Sequence, residues 1–326
     1  MNYRKIVIAG GGILGSQIAF QTAYSGFDVT VLVRESDAIE EVNKKLDELK
    51  RTYLETIVKM DTPEGKAPSN WARGIADHET YNREECVNRV TQGRESIKIE
   101  IDQATALADC DLLIESITEI FDVKEEFYKQ IAPLLPEKTV IVTNSSTLLP
   151  SKLAKSTGRP EKYLAMHFAN HIWKNNIAEI MGHDDTDPKY YEEISAFAKA
   201  IHMIPLEARS EKSGYLLNSM LVPFLLCAMD LLANGVSDPE TIDKAWTLGT
   251  GAPDGPFQIM DIVGLETARN IVLQYQKVPN LFDPLLRKMM LPYNYDGMLR
   301  MLDEYINAGK TGRAAGEGFY KYNQNN

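Results

Sequence analysis

Cysteine is scarce in this chain: Cys86, Cys110 and Cys227 are the only three in 326 residues. Three is an odd number, and their wide spacing builds neither a disulfide framework nor a zinc-ligand pattern. They read as buried small hydrophobes in a reducing, cytoplasmic setting. Nor is there a clustered set of histidines and carboxylates at metal-ligand spacing, so no metal site is expected. Positive charge is short as well: 35 Lys and Arg stand against 46 Asp and Glu, a net charge of −11. That balance argues against nucleic acid or an anionic membrane surface as partner. Long apolar runs are missing. The run after Arg4 and Lys5 is broken by Gly10-Gly11-Gly12, which fits a buried strand better than a signal peptide. The stretch Tyr215–Ala233 carries Asn218, Pro223 and Asp230, whereas a membrane span needs ~20 mostly uncharged residues. It reads as a buried core helix. There is no internal repeat and no low-complexity segment beyond a polar tail, Asn323–Asn326.

What remains is ordinary for a globular chain, 44% hydrophobic and 25% charged. At about 100–200 residues per domain, the length suits two domains. The first half alternates strand and helix signals. Short Ile- and Val-rich runs predict strands at Lys5–Ala9, Val29–Val33, Ile97–Ile101, Asp111–Glu115 and Thr139–Thr143. Others follow at Tyr163–Met166, Ile177–Ile180 and His202–Leu206. Apolar residues Ile39, Val42, Leu46, Leu49, Tyr53 and Ile57 recur at helical spacing in an otherwise charged segment. They predict a long helix with one buried stripe, part of a helical arm over about 36–93. Strands alternating with helices imply an α/β fold with a doubly wound, mostly parallel sheet. From residue 208 the pattern is helical only, and Ser237-Asp238-Pro239 starts a helix predicted to end at Gly249. The expected division is therefore 1–207, an α/β domain, and 208–326, an all-α domain.

Gly10-Gly11-Gly12-Ile13-Leu14-Gly15 fits G-x-G-x-x-G, and it follows a strand and opens a helix, which is the context that gives the pattern meaning. Gly10 allows the tight turn, Gly12 lets backbone approach a pyrophosphate at the helix N-terminus, and Gly15 lets helix pack on strand. The end of the second strand ordinarily carries an acidic residue for the adenosine ribose. Here it is Val33, followed by Arg34. Loss of the carboxylate and gain of a guanidinium favour a 2′-phosphate, hence NADP over NAD. In the other reading Arg34 is solvated and Glu35 serves the ribose. A flavin enzyme would share the glycine loop, and its colour would reveal it.

Asn144-Ser145-Ser146-Thr147-Leu148 follows a strand end, where sites form on open α/β sheets. Read locally, Asn and Ser there are helix-capping residues first. Five histidines occur: His78, His167, His171, His183 and His202. His167 ends one apolar strand and Glu179 lies on the next. A carboxylate in so apolar a run needs a partner if buried. A His–Glu pair across the strands supplies one and fixes the imidazole tautomer for general-base work. Asn218 opens the apolar helix beyond residue 208, either as a capping or buried hydrogen-bonding residue or as a contact to substrate.

Together these segments resemble the L-3-hydroxyacyl-CoA dehydrogenase family over nearly the whole chain. The matching stretches are Gly10–Gly15, Glu115–Glu119, Asn144–Leu148, His167–Asn170 with Glu179, Ser213–Asn218 and Gly316–Tyr320. The diketoreductase branch is most similar, through Leu14–Ala23, Thr143–Ser151, His167–His171 and Gly249–Phe257. The resemblance implies a dinucleotide-binding Rossmann domain, 1–207, followed by a helical substrate and dimerisation domain, 208–326, a homodimer, and a place in fatty acid metabolism. It implies interconversion of 3-hydroxy and 3-oxo groups by hydride transfer with NAD or NADP. In that reading His167 is the general acid and base, Glu179 orients it, and Ser146 and Asn218 hold substrate. Gly10, Gly12, Ile13, Leu14, Gly15, Val33, Arg34, Glu119, Lys124, Ser146 and Asn170 line the cofactor. The substrate is a small 3-oxo or 3-hydroxy acid, ester or acyl-CoA. The sequence departs from acyl-CoA members at Leu49 and Thr56, where a serine and a lysine contact CoA, at His171 for a proline, and at Ala314 for a lysine. These departures move weight towards a free 3-oxo or 3,5-dioxo acid or ester. The rival reading is a non-catalytic dinucleotide-binding homologue, which need not keep the His–Glu pair.

Overall fold

The computed structural model describes residues 3–276 and 293–322, so the polar tail lies outside the described residues. The chain divides into two compact units, Met1–Leu216 and Leu217–Asn326. The expected break at 207/208 is displaced to 216/217. The reason is that Ala208 closes a strand and the segment after it is hydrogen-bonded into the first unit, Gly214 N–H to the Ser146 carbonyl at 3.1 Å.

The first unit is built on one eight-stranded sheet. Its strands are β1 (Lys5–Ala9), β2 (Asp28–Leu32), β3 (Lys98–Glu100), β4 (Leu112–Glu115), β5 (Val140–Thr143), β6 (Tyr163–Phe168), β7 (Ile177–Met181) and β8 (Ile204–Ala208). Their spatial order is β3-β2-β1-β4-β5-β6-β7-β8. All neighbours are parallel except β6 and β7, which run antiparallel. The inner strands β1, β4, β5, β6 and β7 are almost wholly buried because both faces of the sheet are covered there, whereas the edge strands β3 and β8 are largely open. Alternate residues feed different cores. Ile6, Ile8, Ile114, Val142 and Met166 pack on one side, and Val7, Ala9, Leu113 and Ile141 on the other.

Helix α1 (Ile13–Tyr24) leaves the glycine loop and lies against α2 (Asp37–Met60) and α3 (Arg83–Ser96). The predicted stripe of α2 is real: Val42, Leu46, Leu49, Tyr53 and Ile57 are buried in the main core. The arm is docked through this stripe, as expected. Gly93 makes the close approach possible, since a Cβ there would meet the Tyr24 backbone N at 2.9 Å.

The second unit is helical, with helices Leu217–Ala233, Pro239–Thr250, Pro256–Val263, Leu265–Gln276 and Tyr295–Asn307 among the described residues. Two expectations change here. Helix Leu217–Ala233 buries only Leu225, Leu226, Ala228 and Met229, and leaves Met220 67% exposed and Cys227 exposed. It is not fully a core helix within this chain, and Cys227 is not a buried hydrophobe. Helix Pro239–Thr250 continues past Gly249 and stops at Gly251, whose φ of 76° is the left-handed conformation that ends helices. Buried Asp261 ties down the last strand-like turn, accepting the Phe319 and Tyr320 amides at 2.8 and 2.9 Å. Among the described residues no helix is long and apolar enough to cross a membrane.

Candidate active site

The parallel strands align their carboxyl ends. Ala9 pairs in register with Glu115, and Glu115 with Thr143. The loops that follow β1, β4 and β5 therefore emerge side by side. Between β1 and β4 the chain's winding reverses, and the crevice outside such a reversal is where open α/β sheets bind ligands.

The glycine loop occupies that crevice. Gly10 has φ 108°, and a Cβ there would strike the Ser116 carbonyl oxygen at 2.5 Å. A Cβ on Gly15 would strike the Gly10 carbonyl oxygen at 2.1 Å, so α1 can sit down on the loop only with glycine there. Gly12 is different: nothing lies within 4 Å of its would-be Cβ. It caps α1 with no side-chain hydrogen bond, and the first turn carries no acidic residue. The first amides of the helix thus face open space with the positive helix end behind them. These residues fit the pyrophosphate of a dinucleotide. Ile13 is 71% exposed beside Gly12, and Leu14 is half-buried. Val33 is buried next to Gly11, while Arg34 projects into solvent and pairs with Glu35 at 3.4 Å.

The antiparallel pairing of β6 and β7 sets His167 directly opposite Glu179. His167 Nδ1 lies 2.9 Å from Glu179 Oε2, and Nε2 lies 3.1 Å from the Ser146 hydroxyl. Both His167 and Glu179 are buried. A carboxylate only accepts, so Nδ1 carries the proton and donates to Glu179. In the neutral ring Nε2 then holds a lone pair that faces Ser146 Oγ. The second Glu179 oxygen accepts the Leu216 amide at 2.9 Å, which keeps the buried charge compensated. Asn144 Oδ1 accepts the Phe168 amide at 3.1 Å and locks the β5 loop to the end of β6.

Beside this cluster, Glu119 accepts from the Ser145 hydroxyl at 2.5 Å and from the Thr147 amide at 2.8 Å. Burial alone would raise its carboxyl, but the Ser145 bond and the charge of Lys124 outweigh that and hold it below the ordinary value. Lys124 is the cation of this cluster. It is buried, with Nζ 2.5 Å from Glu115 and 3.5 Å from Glu119. Glu115 also accepts from the Tyr128 and Thr143 hydroxyls at 2.9 and 2.7 Å. Lys124 thus ties Glu115, at the end of β4, to Glu119 in the loop that follows.

Of the residues singled out in the sequence, the structure gathers Ser146, His167 and Glu179 into one hydrogen-bonded row and places Glu119 against the same loop. Asn170 is exposed just beyond β6, its carbonyl accepting from the Asn175 side chain at 2.8 Å. Asn218 belongs to the other unit, at the second position of helix Leu217–Ala233. Sequence reasoning missed Tyr215, whose ring stacks on His167 with centroids 4.7 Å apart and planes 12° apart. It also missed Lys45, one turn beyond the stripe residue Val42, whose ammonium donates to the Gly11 carbonyl at 3.3 Å. Among the described residues there is no group of His, Cys, Asp and Glu that could hold a metal.

A dinucleotide cradle at the reversal of an α/β sheet, with a paired histidine on the same edge, defines an NAD(P)-dependent oxidoreductase. The models of the two 3-hydroxyacyl-CoA dehydrogenase domains match almost end to end, the NAD-binding domain over residues 5–211 and the C-terminal domain over 214–322. This chain belongs to the 3-hydroxyacyl-CoA dehydrogenase family, and its activity is on 3-hydroxy and 3-oxo groups. It is 27% identical to human mitochondrial hydroxyacyl-coenzyme A dehydrogenase, covering 98% of this chain and 91% of that one. It is 28% identical to 3-hydroxybutyryl-CoA dehydrogenase of Clostridioides difficile, covering 98% and 100%. A solved diketoreductase, described as acting on dicarbonyl compounds, is 42% identical with TM-score 0.80, covering 99% and 100%. The human, pig and rat relatives are mitochondrial proteins, which overturns the cytoplasmic expectation. Few unpaired cysteines report a reducing environment; they do not identify a compartment.

Proposed function

We propose that His167 is the proton-transferring residue of this oxidoreductase and that its substrate is a small 3-oxo or 3,5-dioxo acid or ester without CoA. One observation carries the first part: His167 is held between Glu179, 2.9 Å from Nδ1, and Ser146, 3.1 Å from Nε2. The hydride donor or acceptor that the side chains cannot supply is the bound nicotinamide dinucleotide. For oxidation, Nε2 takes the proton of the 3-hydroxyl, and the imidazolium that results is stabilised by Glu179. For reduction, the imidazolium returns that proton to the 3-oxo oxygen. Ser146, already within hydrogen-bond reach of Nε2, turns its hydroxyl to the same oxygen and stabilises the charge that develops there.

Two observations support a substrate without CoA. Leu49, at the position of a CoA-contacting serine, is buried in the core. Thr56 spends its hydroxyl on the Thr52 carbonyl at 2.6 Å. The likeness to a diketoreductase points the same way. NADP is the preferred cofactor in this reading, with Val33 offering no carboxylate and Arg34 and Lys45 offering charge to a 2′-phosphate. Unit 1–216 is the dinucleotide-binding part. The second unit contributes to a homodimer, for which the exposed apolar side chains Met220, Leu248 and Val263 are support. The test is a screen of NADH and NADPH oxidation against acetoacetyl-CoA, acetoacetate esters and a 3,5-dioxo ester. Turnover of the free esters well above the thioester is expected. Turnover confined to acetoacetyl-CoA overturns the substrate proposal.

A further inference from the structure

We infer that Tyr215 is a positioning residue for the proton-transfer histidine, the key member of a short strap that fastens the site; this rests on the assignment of His167 above. The strap is Gly214-Tyr215-Leu216, and each of its residues touches a different part of the cluster. Gly214 N–H donates to the Ser146 carbonyl at 3.1 Å. The Tyr215 hydroxyl donates to the Ser145 carbonyl at 2.8 Å. Leu216 N–H donates to Glu179 Oε1 at 2.9 Å. Between these bonds the Tyr215 ring lies nearly parallel to the imidazole of His167.

The backbone shows that this arrangement is imposed. Gly214 and Tyr215 have φ of 81° and 50°, two successive left-handed residues, the second one bulky and aromatic. An L side chain stays in that region only where its surroundings hold it, and such residues concentrate at functional sites. Here the ring is buried, 1% exposed, and its hydroxyl is bonded, so both ends of the side chain are fixed.

The geometry gives Tyr215 two effects on the reaction. The bonds to Glu179 at Nδ1 and to Ser146 at Nε2 hold the imidazole only by its edge, which leaves the ring plane free to tilt. The flat Tyr215 face removes this freedom and aims Nε2. The same face is the negative side of an aromatic quadrupole, so it favours the imidazolium over the neutral ring. The charged and titratable groups around the pair are Glu179 on β7, the Ser146 hydroxyl, and beyond the phenol Tyr163, Glu115 and Glu119. None of them replaces an aromatic face.

The experiment compares Tyr215→Phe, Tyr215→Leu and Tyr215→Met with wild type and with His167→Ala, using kcat, KM for cofactor, NADH binding and the pH profile of kcat/KM for oxidation. Tyr215→Phe keeps the stack and is expected within about fivefold of wild-type kcat, the scale of one neutral hydrogen bond. Tyr215→Leu and Tyr215→Met are expected to lose about ten- to hundredfold in kcat, the scale of a misaimed catalytic group. They should keep the cofactor KM and shift the acidic limb of the profile to lower pH. If either folded variant, shown by normal NADH binding, keeps wild-type kcat and an unmoved pH profile, the positioning role is refuted. If His167→Ala itself turns over normally, it is the assignment of His167 that fails.

Discussion

Glu179 lies directly across the strand pair from His167, its carboxylate 2.9 Å from Nδ1, with no residue between them in the register. A buried carboxylate in that position has one consequence for the imidazole: it decides which nitrogen carries the proton at rest.

Removing the imidazole therefore removes proton transfer while leaving the cofactor cradle intact. His167→Ala should lower kcat by about 10²–10⁴, the usual share of a general acid–base group. Steady-state rates with saturating cofactor, alongside NADH binding, measure it. Wild-type turnover would dismiss the assignment.

Glu179→Gln tests the tautomer. The glutamine carbonyl oxygen can still accept the Leu216 amide, but its NH₂ then faces Nδ1, which must become the acceptor. The proton moves to Nε2, and the lone pair needed for oxidation is lost. A fall in kcat of about 10²–10⁴ is expected, with thermal stability near wild type, as for other histidines deprived of their orienting carboxylate.

Cofactor choice is tested at Arg34. Wild-type kcat/KM should be higher with NADPH than with NADH. Arg34→Ala should lower the NADPH value by about tenfold, the scale of one hydrogen bond to a charged group, and spare NADH. Equal values for the two cofactors in wild type would contradict the reading of Val33 and Arg34.

Acid should loosen the loop that carries Ser145 and Ser146. Glu119 is held below its ordinary value in the folded protein. Such a group contributes stability above its unfolded pKa, about 4.3. That contribution disappears as pH falls through the depressed folded value. Glu119→Gln should flatten the stability loss below about pH 4.3 relative to wild type. Urea unfolding at a series of pH values reads the difference, and parallel curves would exclude the effect.

Much of this was legible because the signals are local. The strands of the sheet read as Ile- and Val-rich runs, and the buried stripe of α2 read from its spacing. His167 and Glu179 were linked by a need, that of a carboxylate in an apolar strand, before any coordinates placed them together. The residues that escaped are those whose role depends on long-range placement. Tyr215 lies 48 positions from His167, and nothing in its own neighbourhood marks it as a stacking partner. Lys124 was expected to line the cofactor; its burial, 1% exposed with Glu115 beneath it, depends on a strand nine positions away and was not legible in its own stretch. Exposure of helix Leu217–Ala233 escaped for a related reason. Apolar composition says that a surface will be covered; it does not say that this chain alone covers it.

The antiparallel register of β6 and β7 has a consequence for how such sites tolerate insertion and deletion. Side chains alternate between the faces of a strand, so a slip of one residue would turn Glu179 away from His167 altogether. The connecting residues 169–176 are under no such restriction, because the strand ladder and not the loop sets the opposition. A lengthened or shortened connection that preserves the His167–Glu179 pairing keeps the site whole. The number of residues between the two partners is therefore a poor guide to equivalence, and which residue sits across the ladder is a good one.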